Sequence, residues 1–333
     1  MSYKIKLSKT PTNVNNDNQV IGKIMSGEHQ GKFINIVKDH IDEDGLNISL
    51  VDEWLDFIDY NHNIPISNKE IKDISYYLAK DEKPSDSNKR LKEIYDMFIE
   101  YNKKENKINI KGNEIELIPS MEPNQVSNLY IVGRSGSGKS TFIGKYIEKF
   151  LNLFGKNSPI FLFSSKPIDS EPAYQPFIDN IQQIFLTKDI LEEYVNDDSG
   201  ISPYEHFINS NGKSICIFDD TENLSPKIES LIKSLQSNIL KTGRSSGIYT
   251  VNCRHILNSG SKTKDIWVES DKIVLFPMGI PRIHIEYGLT KYLGFSKKQI
   301  EELLNTKSRW VCINNRIPTY IIDSHRAYLP FIN

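Results

Sequence analysis

The residues from Gly133 to Ser140 have the types and the spacing that hold a chain of phosphates. They read Gly-Arg-Ser-Gly-Ser-Gly-Lys-Ser and fit the pattern G-x-x-x-x-G-K-[ST] at every constrained position. The glycines let the backbone curl so that successive N–H groups face the phosphates, and the start of the following helix adds a partial positive charge. The segment therefore predicts a site for a nucleoside triphosphate.

Two side chains of this loop have specific predicted roles. Lys139 is expected to neutralise the β- and γ-phosphates, and Ser140 is expected to be a ligand of Mg²⁺. The predicted nucleotide-binding residues are Gly133, Arg134, Ser135, Gly136, Ser137, Gly138, Lys139, Ser140 and Thr141.

A second acidic site follows about eighty residues later, where the apolar run Ile215–Phe218 ends in Asp219 and Asp220. A buried parallel strand brings its carboxyl end to the same edge of the sheet as the phosphate loop. Asp219 is therefore predicted to hold Mg²⁺ opposite Ser140, and Asp220 to orient the attacking water. Glu222 is a competing candidate for the second role, although we favour Asp220.

The absence of two guanine-specific motifs indicates which nucleotide is bound. No D-x-x-G sequence follows the acidic strand and no N-K-x-D sequence is present, so guanine specificity has no visible carrier. ATP, bound with Mg²⁺, is the predicted cofactor.

A third polar cluster follows the strand candidate Ile248–Val251. In P-loop ATPases with an additional strand, a polar residue at this point senses the γ-phosphate, and either Asn252 or His255 fits that role. Arg244 lies in a stretch from Ser234 to Lys264 that has five basic residues and no acidic one. It is either an arginine finger that contacts phosphate or a solvated residue at a helix end.

The elements that must position these residues form an alternating pattern. Short apolar runs alternate with helical or polar segments, which predicts an α/β fold with a mainly parallel sheet and helices on both faces. The predicted strands are 129–132, 160–163, 184–186, 215–218, 248–251 and 273–276, and 310–313 and 319–322 are expected to extend the sheet.

Residues 1–105 are rich in Asn, Asp and Lys and carry none of these motifs. Helical spacing occurs in the segments 50–60, 71–78 and 91–101, and Ser67 with Glu70 forms a capping box before the second. A polar loop or a disordered link is expected at 12–19. Alternation at 108–110 and 115–117 around Lys111-Gly112-Asn113 predicts a hairpin. We predict a small α-rich accessory module at 1–105 and a P-loop ATPase domain at 106–333.

Composition limits the remaining possibilities. The 333 residues have a net charge of −2, so any contact with DNA must be local. Three widely spaced cysteines form no C-x-x-C pair and are expected to be reduced residues of a core. No run approaches the length of a membrane span, and an intracellular protein is expected.

Taken together, these motifs resemble the genome-packaging ATPases of large nucleocytoplasmic DNA viruses, a branch of the FtsK/HerA-like P-loop superfamily. The resemblance covers residues 125–325. Beyond the two nucleotide motifs, its counterparts here are Gly243-Arg244, His255, Thr263-Lys264, Glu269, Phe276-Pro277 and the run 308–313. The acidic pair is Asp-Asp, where the superfamily commonly has Asp-Glu.

The resemblance implies an ATPase that moves double-stranded DNA into a viral capsid. It also implies a homo-oligomeric ring, in which Arg244 reaches the nucleotide of the next subunit, and capsid or portal proteins as partners. The expected location is the host cytoplasm, the viral factory or the virion. A P-loop kinase acting on a nucleoside or a nucleic-acid end, and an ATP-binding scaffold, are the alternatives. Strand order distinguishes them, because an extra strand between the phosphate-loop strand and the Asp219 strand indicates the motor.

Overall fold

The computed structural model describes residues 3–11, 18–38, 44, 46–60, 65–80, 82–105, 107–110, 114–121, 126–195, 201–260 and 263–330. Its first part contains an antiparallel sheet and three helices. The strands are β1 (Tyr3–Ser8), β2 (Asn18–Ile24) and β3 (Phe33–Lys38), and the helices are α1 (Ile48–Tyr60), α2 (Asn68–Ala79) and α3 (Lys89–Glu105).

The three helices occur where their periodicity predicted them. The Ser67 hydroxyl accepts from the Glu70 N–H and the Glu70 carboxylate accepts from the Ser67 N–H, so the capping box is present. Apolar faces of the helices meet around Trp54 and Phe98, both fully buried. The pattern did not predict the three strands, and the predicted loop at 12–19 lies largely outside the described residues.

The remaining strands form a ten-stranded sheet and complete the small one. They are β4 (Lys107–Asn109), β5 (Ile115–Leu117), β6 (Asn128–Val132), β7 (Ile160–Ser164), β8 (Ile181–Phe185), β9 (Ser214–Phe218), β10 (Ile248–Arg254), β11 (Lys272–Leu275), β12 (Val311–Asn314), β13 (Ile321–Asp323) and β14 (Arg326–Tyr328). The large sheet has the order β4-β14-β13-β12-β11-β6-β10-β9-β7-β8. The six strands from β11 to β8 pair in parallel, and the other four continue the sheet in antiparallel pairs.

The predicted α/β fold is confirmed by this arrangement. Strands β6, β7, β9 and β10 are buried along their whole length, as expected for parallel strands that are covered on both faces. The helices that cover them are α4 (Lys139–Phe154), α5 (Lys188–Val195), α6 (Pro226–Thr242), α7 (Lys264–Glu269), α8 (Arg282–Leu293) and α9 (Lys297–Leu304).

The two faces of the large sheet have different partners. On one face, α4 and the small sheet share a core in which Ile24 and Ile34 join Ile131, Ile143 and Ile147. On the other face, α5 and α6 form one core and α7, α8 and α9 form another. The first part of the chain therefore packs against the face that carries the phosphate-loop helix.

The predicted hairpin at 108–117 is wrong. β4 pairs with β14 at the edge of the large sheet, whereas β5 pairs with β2 in the small sheet. Residues 111–113, the expected turn, lie outside the described residues. Alternation predicts which face of a strand is buried but not which strand it pairs with, so a nearby partner was the wrong choice.

Among the helices of the described residues, none is long and apolar enough to cross a membrane.

Candidate nucleotide-binding site

The phosphate loop joins β6 to α4 in the order that the sequence predicts. Gly136 and Gly138 have φ angles of +74° and +102°, a region in which a side chain is strained. A Cβ atom at Gly133 would lie 2.7 Å from both the Cβ of Phe276 and the Oγ of Ser137. The glycines are therefore required by the curl of the backbone and by the close approach of β11.

Lys139 lies inside this loop and is buried. Its Nζ donates to the main-chain oxygens of Gly133 at 2.6 Å and Arg134 at 3.1 Å, and it lies 3.4 Å from Nδ1 of His255. The Ser137 Oγ is buried and has no partner among the described residues. The loop therefore presents a cation and a hydroxyl to the position that a phosphate chain would occupy.

Asp219 follows β9 and is buried at the same edge of the sheet. Its Oδ2 accepts a hydrogen bond of 2.7 Å from the hydroxyl of Tyr174. The segment that carries Tyr174 is held against α4, because a Cβ atom at Gly144 would lie only 2.8 Å from the main-chain oxygen of Ala173. Tyr174 therefore fixes the orientation of the Asp219 carboxylate, a role that no sequence motif indicated.

Asp220 and Glu222 both contact His255. The Oδ1 of Asp220 lies 3.3 Å from Nε2 of His255, and the Glu222 carboxylate accepts from the His255 main-chain N–H at 2.8 Å. His255 thus bridges Lys139 and Asp220 through its two ring nitrogens. The predicted residues Lys139, Asp219, Asp220 and His255 lie together, and Glu222 stays within reach as the alternative.

The environment of Asp220 favours its charged form. Burial opposes ionisation, but Lys166 and His255 outweigh it and lower the pKa of the Asp220 carboxyl. The backbone of Asp220 has a φ of +52°, a left-handed conformation that a non-glycine residue rarely adopts. This strained turn directs the carboxylate back toward His255.

The position of β10 explains why these groups meet. It lies between β6 and β9, and Arg254 at its end pairs with Val132, the last residue of β6. His255 follows at once and is placed between the phosphate loop and the acidic pair. The additional strand that is expected of a motor, and not of a kinase, is therefore present.

Asn252 does not join the site, which corrects one of the two sensor predictions. It is fully buried, its Oδ1 accepts from Nε2 of Gln236 on α6 at 2.5 Å, and it lies on the face opposite α4. Side chains alternate along a strand, so Asn252 and Cys253 point to opposite faces. Arg254 also faces α6 and donates to Gln236 at 3.3 Å. His255 is the sensor candidate that the structure brings to Lys139.

Arg244 lies at the other edge of the sheet. It is exposed in the turn Gly243–Ser246, which precedes β10 at its amino end. A strand of seven residues spans about 23 Å, so Arg244 is remote from the phosphate loop of its own chain. Lys262, another member of the basic stretch, lies outside the described residues.

Lys166 is a second residue that sequence reasoning missed. It follows β7, the strand next to β9, and its Nζ forms an ion pair with the Asp220 carboxylate. The available signal was the run Ser164-Ser165-Lys166 at the end of a predicted strand, where polar residues reach the same edge as Asp219.

The donor atoms at this edge fit Mg²⁺ bound with a triphosphate. Ser140 supplies a hydroxyl oxygen and Asp219 a carboxylate oxygen, the ligand types that Mg²⁺ prefers, and phosphate oxygens and water supply the rest. Within the described ranges, no group of three His, Cys, Asp or Glu side chains is placed to hold a metal by itself.

Comparison with known proteins gives one sequence relative. An uncharacterized protein, V3 of the Sputnik virophage, is 31% identical over 222 residues, which cover 64% of this chain and 81% of the virophage protein. The chain belongs to the V3 family. The comparison with models of protein families gave no match.

Several solved structures are similar to this chain. One is the genome packaging NTPase B204 of Sulfolobus turreted icosahedral virus 2 in complex with AMPPCP, with 15% identity, coverage of 61% of this chain and 98% of B204, and a TM-score of 0.38. Another is the pCW3 conjugation coupling protein TcpA with ATPγS, with 12% identity, coverage of 93% and 77%, and a TM-score of 0.42. At these TM-scores, the assignment of the fold depends on the strand order of the chain itself.

Proposed function

We propose that this protein is an ATPase that moves double-stranded DNA and packages it into a viral capsid. The observation that carries the proposal is the position of β10 between β6 and β9, which brings His255 between Lys139 and Asp220. A P-loop ATPase that uses a polar residue on an added strand has this order, whereas a kinase is expected to have the two motif strands adjacent. The membership in a virophage family and the similarity to a packaging NTPase agree with the proposal.

The proposed roles follow from the contacts. Lys139 exchanges its bonds to the loop carbonyls for bonds to the phosphates, and the N–H groups from Gly136 to Thr141 bind the same oxygens. Ser140 and Asp219 would hold Mg²⁺, which would neutralise charge on the phosphate oxygens. Asp220 accepts a hydrogen bond from the attacking water, and His255 detects the γ-phosphate next to Lys139.

The location of Arg244 supports the ring. An exposed arginine at the amino edge of one subunit can reach the carboxyl edge of a neighbour in a head-to-tail ring, but it is too far from its own loop. We infer that Arg244 completes the neighbour's site by stabilising the charge on the transferred phosphoryl group. Double-stranded DNA would pass through such a ring, and capsid or portal proteins would bind outside it.

Residues 1–105 are proposed to be an accessory module, and residues 106–333 the motor. The small sheet would connect the two, because β5 of the motor pairs with β2 of the module. Glu116 of β5 in turn forms ion pairs of 2.8 Å with Lys149 and 3.1 Å with Lys145 on α4. The protein is proposed to work in the infected host cell or its viral factory.

The experiment is ATP turnover measured with and without duplex DNA. The wild type is expected to hydrolyse ATP faster when DNA is present, and Lys139→Ala to lose at least about 100-fold in turnover, because a cation that contacts the transition state is removed. Lys156→Ala is the matched control, since this exposed lysine precedes β7 at the opposite edge of the sheet.

Turnover that survives Lys139→Ala would contradict the site. Turnover that duplex DNA leaves unchanged would contradict the motor while leaving the ATPase intact. Transfer of phosphate to an added nucleoside or 5′-hydroxyl end, without release of free phosphate, would instead support the kinase.

A further inference from the structure

Asp220 contacts residues on two sides, one within the candidate nucleotide site and one outside it. The Lys166 ammonium pairs with one of its carboxylate oxygens, and the other faces His255. The Ser165 hydroxyl also donates to the main-chain oxygen of Asp220 at 3.3 Å. The segment after β7 thus contacts both the side chain and the backbone of the residue that we propose as the orienting group for water.

The backbone of this segment is anchored to its neighbour β8. Gln183 donates from Nε2 to the main-chain oxygen of Lys166 at 2.6 Å and accepts from the Ile168 N–H at 3.0 Å. The Lys166 side chain nevertheless remains 63% exposed, whereas Asp220 is 23% exposed. Lys166 therefore reaches Asp220 from a fixed point on the surface, where an anion in solution can also meet it.

This ion pair opposes the proposed task of Asp220. A carboxylate that orients water must offer a lone pair toward the γ-phosphate, and a cation bound at its outer oxygen draws it the other way. The pair is exposed, so it is weak enough for a competing anion to open. The hydrogen bond to Asp220 raises the pKa of the Lys166 ammonium, and the charges of Asp219 and Glu171 act in the same direction, so the lysine keeps its charge.

We propose that Lys166 is a positioning residue that restrains Asp220, and that turnover rises when the ion pair between them opens. The inference rests on the proposed function, under which the competing anion is the phosphodiester backbone of the bound duplex. Lys166 would then couple the presence of DNA to the freedom of the Asp220 carboxylate.

The test compares ATP turnover of the wild type, Lys166→Met and Lys166→Arg with and without a DNA duplex of defined length. Lys166→Met is expected to raise kcat in the absence of DNA about three- to tenfold, to leave KM for ATP within about twofold, and to reduce the further stimulation by DNA. Lys166→Arg keeps the charge and should retain low basal turnover. Lys156→Met, a lysine-to-methionine change at the opposite edge of the sheet, should behave as the wild type.

A second variant tests the same restraint without changing the lysine. Gln183→Leu removes the two hydrogen bonds that fix the segment and should raise basal kcat in the same direction as Lys166→Met, by a smaller factor. Thermal unfolding of each variant shows that it is folded before its turnover is compared.

Basal kcat that stays unchanged or falls in Lys166→Met would overturn the restraint, because the lysine would then be neutral or would hold Asp220 productively. This failure is separate from that of the proposed function. A wild type that hydrolyses ATP but ignores DNA would contradict the motor, and a higher basal kcat in Lys166→Met would still support the restraint.

Discussion

The two edges of the large sheet differ in how their polar groups are satisfied. At the amino edge, the buried Asp271 accepts from the Asn128 N–H and pairs with Arg316, so its charge is used within the fold. Burial still raises the pKa of Asp271, although Arg316 opposes the shift. At the carboxyl edge, Lys139 is held by bonds to loop carbonyls and the buried Ser137 hydroxyl has no partner among the described residues.

The amino edge has a structural role, whereas the carboxyl edge carries the groups for chemistry. Internal pairing at the amino edge fixes the starts of β6 and β11, whereas the carboxyl edge presents groups that can exchange partners with a ligand. Arg244 also lies at the amino edge, but unlike Asp271 it is exposed, and it is remote from the phosphate loop of its own chain. In the proposed ring, the amino edge of one subunit therefore lies against the carboxyl edge of the next.

The largest expected effect comes from the exposed arginine. Arg244→Ala should lower ATP turnover by about 10³-fold while nucleotide binding and folding persist, because a trans-acting arginine stabilises only the transition state. Turnover at saturating ATP measures the expected loss, and the affinity for a fluorescent ATP analogue measures nucleotide binding. Lys241→Ala, one helical turn away, is the control, and equal losses in both variants would contradict a specific role.

The next effect concerns the acidic pair at the carboxyl edge. Asp220→Asn should lower kcat by about 100-fold and leave nucleotide affinity nearly unchanged, because the amide keeps the size of the side chain but orients water poorly. Glu222→Gln should have a smaller effect, since its carboxylate binds the His255 main-chain N–H. The opposite ranking of the two variants would assign the water to Glu222.

The smallest effect on turnover is expected for Asn252, which lies within β10. Asn252→Ala should lower the free energy of unfolding by about 2 kcal/mol, because Nε2 of the buried Gln236 loses the oxygen to which it donates, and should change kcat little. His255→Ala should do the reverse and lower kcat by about tenfold. Urea unfolding and turnover of both variants check this, and loss of kcat in Asn252→Ala alone would reinstate it as the sensor.

The carboxyl edge could be predicted because its signals are local. A phosphate loop, a strand that ends in two acids, and apolar runs of strand length are each visible within about ten residues, and parallel strands bring their ends to one edge. The choice between Asn252 and His255 depends on which side chains of β10 face the site. This requires the end of the strand to one residue, and the sequence does not locate strand ends that closely.

The features that the sequence did not predict depend on contacts between segments that are far apart along the chain. β5 pairs with β2 across more than ninety residues, and β4 pairs with β14 across more than two hundred. Tyr174 and Lys166 reach the acidic pair from a turn and from a neighbouring strand, and neither belongs to a motif. Such contacts arise from the packing of the whole domain, which local periodicity does not encode.

The most direct measurement mixes two inactive variants. Lys139→Ala lacks the cation of the phosphate loop but keeps Arg244. Arg244→Ala keeps the cation of the loop but lacks the arginine. In a head-to-tail ring with random mixing, about a quarter of the interfaces combine an intact loop with an intact arginine, so the mixture should regain a substantial part of wild-type turnover. A mixture as inactive as its two components would contradict a site shared between the edges of neighbouring subunits.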